Sequence, residues 1–125
     1  MMACFLDSSA LVKYYVTEPG STWVRQRVDG EEPILLAEIT VAEVAAALGI
    51  LQREGRITSR HRQDFWERFE RDCVERYDLI PVVYGVIYAA ALLCTRHPLK
   101  AYDAVQLAAG LALRRTLAEQ DIPLV

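Results

Sequence analysis

Short apolar runs alternate with longer amphipathic segments along this chain. An apolar run of about 4–8 residues is typical of a buried strand, whereas apolar residues spaced by three and four indicate one face of a helix. The predicted strands are residues 3–6, 34–37, 79–83 and 122–125. The predicted helices are residues 8–15, 23–28, 41–53, 59–77, 84–96 and 101–117.

Two helices show the periodicity most clearly. Val41, Val44 and Leu48 fall on one face of helix 41–53, as an amphipathic helix requires. Helix 59–77 has a narrow apolar stripe, and its opposite side carries many charges of both signs. We therefore expect the second helix to expose one face to solvent.

The predicted strands are continuously apolar rather than alternating, and helices separate each strand from the next. Strands of this kind belong to a parallel sheet that helices cover on both faces. We predict a single domain, residues 1–125, of the α/β class. Its expected architecture is three-layered, α/β/α, around a parallel sheet of four to five strands.

Composition narrows the class of protein. The chain has 125 residues, of which 53% are hydrophobic and 25% charged, and this is enough apolar material for a core. The formal net charge of -3 argues against a nucleic-acid binder that relies on a basic surface. It leaves open an enzyme that meets a phosphate through a metal ion, because such a site is itself acidic.

Cysteine usage and hydropathy indicate a cytoplasmic protein with no place in a membrane. The three cysteines form no C-x-x-C pair, which argues against a disulfide framework or zinc site and fits a reducing compartment. The apolar start is short and meets Asp7 early, unlike a signal peptide. The longest apolar run, residues 82–94, is shorter than the roughly 20 residues that span a bilayer.

Three carboxylates stand where predicted elements begin or end. Asp7 directly follows the first strand, and Glu43 and Asp103 lie near the starts of two apolar helices. Ligands of open α/β sheets bind in the crevice beyond the carboxyl ends of the strands. Because helix starts in such a fold often face that crevice, the three acids are candidates for one site.

Helix capping is the competing interpretation of each acid taken alone. Thr40 and Glu43 have the spacing of a capping box, and Asp7 and Asp103 are acceptable N-caps. However, a carboxylate among apolar neighbours is costly unless it is paired or binds a metal. No Lys, Arg or His is adjacent in sequence to any of the three acids. A hard divalent cation, Mg²⁺ or Mn²⁺, is the partner that carboxylate oxygens favour.

Other site chemistries lack their motifs. The sequence contains no G-x-x-x-x-G-K-[ST], no G-x-G-x-x-G and no G-x-S-x-G, so a P-loop, a dinucleotide site and a hydrolase serine have no support. The two histidines, His61 and His97, are not at metal-ligand spacing.

With these residues the chain resembles the PIN-domain ribonucleases, and most closely the VapC-type toxins of prokaryotic toxin–antitoxin pairs. Three segments carry the resemblance, in the family's order and separation: F-L-D-S-S-A-L-V-K-Y-Y, T-V-A-E-V-A-A-A-L and H-P-L-K-A-Y-D-A-V-Q-L-A-A-G-L-A-L. The first and third are specific, whereas the second is weaker alone. The resemblance covers nearly the whole chain and implies a PIN-like fold, with its acids at the carboxyl edge of a parallel sheet.

The resemblance implies roles for the three acids. Asp7, Glu43 and Asp103 match the first three acids of the family, which implies a catalytic, metal-binding set. Asp7 and Asp103 are the expected principal ligands of Mg²⁺ or Mn²⁺. Glu43 is expected to bind the ion through water, or to orient and deprotonate the attacking water.

Four further positions match the family pattern. Ser8 or Ser9, and likewise Thr40, correspond to small hydroxyl residues that support the metal shell. Lys13 corresponds to a basic position and is a candidate substrate contact, although a solvated helix lysine explains it equally well.

The activity that the resemblance implies is metal-dependent hydrolysis of RNA phosphodiester bonds by an endoribonuclease toxin. The family often acts on transfer RNA or other structured RNA. The resemblance further implies a homodimer and a cognate antitoxin that blocks the acidic cleft.

One departure from the family concerns a fourth acid. The family usually places it shortly after the last strand, but this sequence reaches Val125 without it, and Asp121 comes before that strand. We expect a C-terminal continuation that carries the acid. The alternative is a catalytically reduced PIN-like module that binds RNA or an antitoxin without cleavage. A phosphotransfer signalling domain is a further interpretation, but the paired acids and the late-strand lysine of that class are absent.

Overall fold

Three short parallel strands and six helices form the computed structural model, which describes residues 1–125. The strands are β1 (Cys4–Phe5), β2 (Ile34–Ala37) and β3 (Tyr77–Ile80). The helices are α1 (Ser8–Tyr15), α2 (Ser21–Asp29), α3 (Thr40–Arg53), α4 (Ser59–Glu75), α5 (Tyr84–Arg96) and α6 (Ala101–Ala118). None of these helices has both the length and the apolar character needed to cross a membrane.

The sheet is parallel and has the order β1-β2-β3. Ile34 pairs with Cys4 on one side and with Tyr77 on the other, so β2 is the central strand. All four residues of β2 are buried, as expected of a strand that is covered on both faces. The predicted α/β class and parallel sheet are confirmed.

The number of strands differs from the four to five that the sequence predicts. Residues 122–125 reach the sheet beside β1, but they make only an isolated bridge, Ala3 with Leu124. The backbone N–H of Ala3 donates to Pro123 and the N–H of Phe5 donates to Val125, at 3.0 and 2.9 Å. Pro123 has no N–H of its own to donate, so the pairing stays short and the structure has three strands.

Two cores lie on opposite faces of the sheet. Because successive strand residues point to opposite faces, Cys4, Ile34 and Leu36 enter one core together with helices α1 to α4. The largest fully buried side chain in that core is Phe69. The second core is smaller and joins α5 to α6 through small side chains such as Ala90.

Helix α6 reaches the sheet at a glycine. A Cβ built on Gly110 would lie 3.2 Å from two ring carbons of Phe5, so a larger residue here would require the Phe5 ring to shift by a few tenths of an ångström. The glycine thus allows a close approach of α6 to β1.

Both ends of β3 differ from the sequence prediction, by two residues at its start and by three at its end. The sequence predicts a helix over residues 59–77 and a strand from residue 79, whereas β3 begins at Tyr77. The Arg76 side chain donates to the backbone carbonyls of Val28, Gly30 and Glu32, which ties this point to the loop before β2. These contacts are distant in sequence, so helical periodicity does not reveal them.

Candidate functional site

Asp7 lies between β1 and α1 and is exposed to solvent. Its backbone is extended, and its Oδ1 accepts a hydrogen bond from the Ala10 N–H at 2.9 Å, so it is the N-cap of α1. A carboxylate has acceptor capacity beyond one such bond, and the second oxygen makes no hydrogen bond within the chain. Capping and metal binding are therefore compatible in this residue.

Asp103 lies in the first turn of α6 and is also exposed. The N-cap of that helix is Lys100, and no side chain caps it, so the capping interpretation of Asp103 is wrong. A negative charge in the first turn still interacts favourably with the helix dipole. Its carboxylate is free to bind a ligand.

Glu43 lies in the first turns of α3, but the predicted capping box does not form. The N-cap is Ile39, one residue earlier than the sequence suggests, and it makes no side-chain hydrogen bond. Thr40 Oγ1 instead accepts a hydrogen bond from Gln106 Nε2 at 2.8 Å, and the same nitrogen donates to Glu43 Oε1. The Gln106 amide therefore joins α6 to the start of α3.

Asp7 and Asp103 line the same pocket, which has a volume of about 560 Å³. Gln106 also borders it, and Trp23 and Arg114 contribute an aromatic face and a positive charge. The rest of the lining is mainly apolar side chains from β1, α6 and residues 124–125. The structure thus brings two predicted acids together and connects the third to their pocket through Gln106.

The donor chemistry of this pocket fits a divalent cation. No group of three or more His, Cys, Asp or Glu side chains is arranged to hold a metal ion, so the three acids do not form a closed cage. Mg²⁺ rarely uses such a cage, because it binds one or two carboxylates and keeps waters and substrate phosphates as its other ligands. Asp7 and Asp103 are the carboxylates of this pocket that would hold such an ion.

Nearly the whole chain matches a known protein family. The family model described as PIN domain covers residues 4–122. The chain is a PIN domain. The predicted resemblance is therefore confirmed, and the acid pocket lies on the fold for which it was predicted.

Two relatives place this PIN domain among the VapC-type proteins. Ribonuclease VapC45 of Mycobacterium tuberculosis strain CDC 1551 / Oshkosh and Ribonuclease VapC49 of strain ATCC 25618 / H37Rv are each 32% identical to it over 113 residues. The aligned region covers 90% of this chain and 78% of each relative.

A solved structure supports the fold. The structure, described as a toxin–antitoxin complex from Klebsiella pneumoniae, superposes with a TM-score of 0.56 at 19% sequence identity. The match covers 98% of this PIN domain and 82% of the other chain.

The other predicted site residues, Ser8, Ser9, Lys13 and Thr40, do not line the acid pocket. Ser9 and Lys13 line a separate pocket together with Glu18 and Arg56. Asp7 accepts its hydrogen bond from the Ala10 backbone rather than from a serine hydroxyl. Thr40 is fully buried, and it contacts the acids only through the Gln106 amide.

Gln106 is the site residue that the sequence did not single out. It lies one helical turn after Asp103, and its side chain is 4% exposed. A glutamine among apolar residues, in step with a candidate acid on the same helix, was the available signal.

Proposed function

We propose that this PIN domain is a divalent-metal-dependent endoribonuclease that hydrolyses RNA phosphodiester bonds. The observation that carries the proposal is that Asp7 and Asp103 share one pocket, with Gln106 connecting Glu43 to it. The names of the two relatives support ribonuclease activity. Mg²⁺ or Mn²⁺ is the expected cofactor, because both favour carboxylate oxygen.

The acids divide the chemistry between them in this proposal. The free oxygen of Asp7 and the carboxylate of Asp103 would hold the cation, which would activate water for attack and neutralise phosphate charge. Glu43 orients the attacking water and accepts its proton as the new P–O bond forms. The leaving ribose oxygen departs as the old P–O bond breaks and is protonated from solvent.

The remainder of the pocket suits a nucleotide. Trp23 is 46% exposed, and the Arg27 guanidinium lies over its ring, 5.1 Å from the centroid. We propose that an unpaired base stacks on the exposed part of this ring. Arg114 is the only basic side chain in the lining, and it offers a contact for a phosphate. An overall acidic chain would thus bind RNA locally, through one aromatic ring, one guanidinium and a metal ion. Transfer RNA and other structured RNAs with unpaired loops are the substrates we propose.

Two protein partners belong to the same proposal. We propose that a cognate antitoxin blocks the acid pocket in the cytoplasm. The solved structure with the similar fold is a toxin–antitoxin complex, and this supports the proposal of such a partner.

We also propose a homodimer. Large apolar side chains stand exposed on α5 and α6, among them Tyr84 and Tyr88, which are 77% and 56% exposed. The Tyr84 and Tyr88 rings stack on each other, and exposed apolar side chains that lie together are typical of an interface.

The test is cleavage of a total RNA pool by the purified protein, with Mg²⁺, with Mn²⁺ and with EDTA. Asp7→Asn and Asp103→Asn are expected to lose at least about 100-fold in rate, since each removes a metal-binding charge. Asp64→Asn, an exposed acid on α4, is the matched control and should cleave normally. Cleavage that survives EDTA, or that both pocket variants retain, contradicts the proposal.

A second candidate function is a catalytically reduced module, because Asp7 and Asp103 line the pocket whereas Glu43 does not. A PIN-like module can bind RNA or an antitoxin without cutting. The same preparations distinguish the two candidates: RNA binding without cleavage, in either metal, supports the binding module.

A further inference from the structure

The Gln106 side chain joins two helices inside the protein. It extends from α6, is 4% exposed, and donates through Nε2 to Thr40 Oγ1 and to the Glu43 carboxylate. Thr40 is fully buried, so its contact with the amide is screened from water. Since an amide nitrogen carries two N–H groups, these two bonds use the whole donor capacity of Gln106.

The orientation of this amide is set by its acceptors. An ionised carboxylate only accepts hydrogen bonds, so the nitrogen must face Glu43 and the oxygen must face away. Gln106 Oε1 is buried there and has no hydrogen-bond partner. The structure therefore tolerates an unsatisfied acceptor, which is destabilising, in order to present both donors to Thr40 and Glu43.

Gln106 contributes to stability through Thr40, because it is the side chain that donates to this buried hydroxyl. An unbranched apolar side chain of similar length would remove the unsatisfied Gln106 oxygen, but it would leave the Thr40 hydroxyl without that donor. It would also remove the donor that holds the Glu43 carboxylate. Gln106 thus has a structural effect through Thr40 and an effect on the acid site through Glu43.

We propose that Gln106 is a positioning residue that holds the Glu43 carboxylate in one orientation beside the pocket of Asp7 and Asp103. This inference rests on the proposed function. Gln106 acts through Glu43 and makes no contact with the reacting atoms. Its removal therefore slows the chemical step and leaves both substrate binding and metal binding intact.

The variants are Gln106→Met, which keeps the length and removes both donors, and Gln106→Glu, which keeps the shape and places a second carboxylate against Glu43. In each, we expect kcat to fall by about 10- to 100-fold while KM changes by less than about twofold. Gln52→Met is the matched control, because Gln52 lies on α3 and accepts from the exposed side chain of Arg62. Its kcat should equal that of the wild type.

Two further measurements separate positioning from a structural role. Mn²⁺ binding, followed by electron paramagnetic resonance, should be unchanged in Gln106→Met and weakened in Asp7→Asn. In a double-mutant cycle, Gln106→Met should add no further loss to Glu43→Gln, because its effect passes through that carboxylate.

The outcomes are distinguishable. A wild type that does not cleave RNA contradicts the proposed function and this inference together. A wild type that cleaves while folded Gln106→Met keeps its full kcat overturns the inference alone. Full additivity with Glu43→Gln, or a loss confined to KM, overturns it as well.

Discussion

The Asp7 side chain caps α1 with one of its two carboxylate oxygens. One oxygen caps the helix through the Ala10 N–H, and the other is available to a ligand in the pocket shared with Asp103. From the sequence, capping and metal binding were competing interpretations of Asp7. In the structure Asp7 is the helix cap, but the cap uses only one of its two oxygens. Stability and activity measured on the same variants can therefore separate the two roles.

Asp7→Ala and Asp7→Asn should differ in stability and agree in activity. The alanine variant loses the cap, so its free energy of unfolding should fall by about 1 kcal/mol. The asparagine variant keeps a capping oxygen but loses the charge, so it should unfold like the wild type and still fail to cleave RNA. Urea unfolding followed by circular dichroism, beside the cleavage assay, measures both. Equal destabilisation of the two variants would show that the cap is not what matters at this position.

At the scale of secondary-structure elements, hydrogen bonds of buried tyrosine hydroxyls connect α1, α4 and β3. Tyr15 donates to Asp72 at 2.6 Å, and its hydroxyl lies 2.7 Å from that of Tyr77. Burial raises the pKa of both Tyr15 and Tyr77 above the ordinary tyrosine value. Burial, with a hydrogen bond to Asp29, likewise raises the pKa of Tyr14 on α1 to about 12. The folded protein thus favours the neutral form of all three tyrosines.

We predict that these helices loosen from the sheet at alkaline pH. A raised folded-state pKa contributes to the stability of the folded protein. For Tyr14 this contribution is complete below the unfolded pKa of 10.0 and is lost as the pH rises toward about 12. The free energy of unfolding should therefore decline above pH 10, by up to about 1.4 kcal/mol per pH unit for each buried tyrosine that ionises only on unfolding.

Two variants test the source of that decline. Tyr77→Phe removes one buried hydroxyl, so it should lose about 1 kcal/mol at neutral pH and show a shallower decline above pH 10. Tyr102→Phe, at an exposed position on α6, should leave the profile unchanged. Urea unfolding at pH 7, 9, 10 and 11 provides the measurement, and identical slopes in the wild type and Tyr77→Phe would refute the assignment.

At the scale of the whole molecule, α5 presents an apolar surface that the single chain does not cover. The rings of Tyr84 and Tyr88 stack one helical turn apart, with centroids 6.4 Å apart, and both remain exposed. If this face joins two copies, Tyr88→Glu should convert a dimer to a monomer in size-exclusion chromatography with light scattering. Val74→Glu is the matched control, because Val74 is exposed on α4, and it should stay dimeric. A wild type of monomer mass at every concentration would exclude the homodimer.

Local signals allowed much of the fold to be predicted. Apolar runs and periodicity located β2 and α5 at the bounds that the structure gives them, because those elements are set by their own residues. At the start of β3, Arg76 and Tyr77 make contacts with residues 44 to 62 positions away, and no local pattern contains that information. Contacts of this range are why the start of β3 could not be predicted from its neighbours.

The same division holds for the site. Asp7 follows a strand directly, so its position could be predicted from its neighbours alone. The partners of Gln106 lie 66 and 63 residues away, and their pairing follows only from how α6 rests on the sheet. The capping box of Thr40 and Glu43 was a sound local inference, but their side-chain oxygens accept from the Gln106 amide instead of capping the helix.

Helix α6 carries Asp103 in its first turn and Gln106, which binds Glu43, in its second turn. Gly110 of the same helix lies close to Phe5 of the sheet. The positions of two of the three carboxylates therefore depend on this one helix. A local unfolding event that separates α6 from the sheet would therefore disrupt the positions of both carboxylates together. On heating, activity should be lost in one cooperative transition, at a temperature below that of global unfolding.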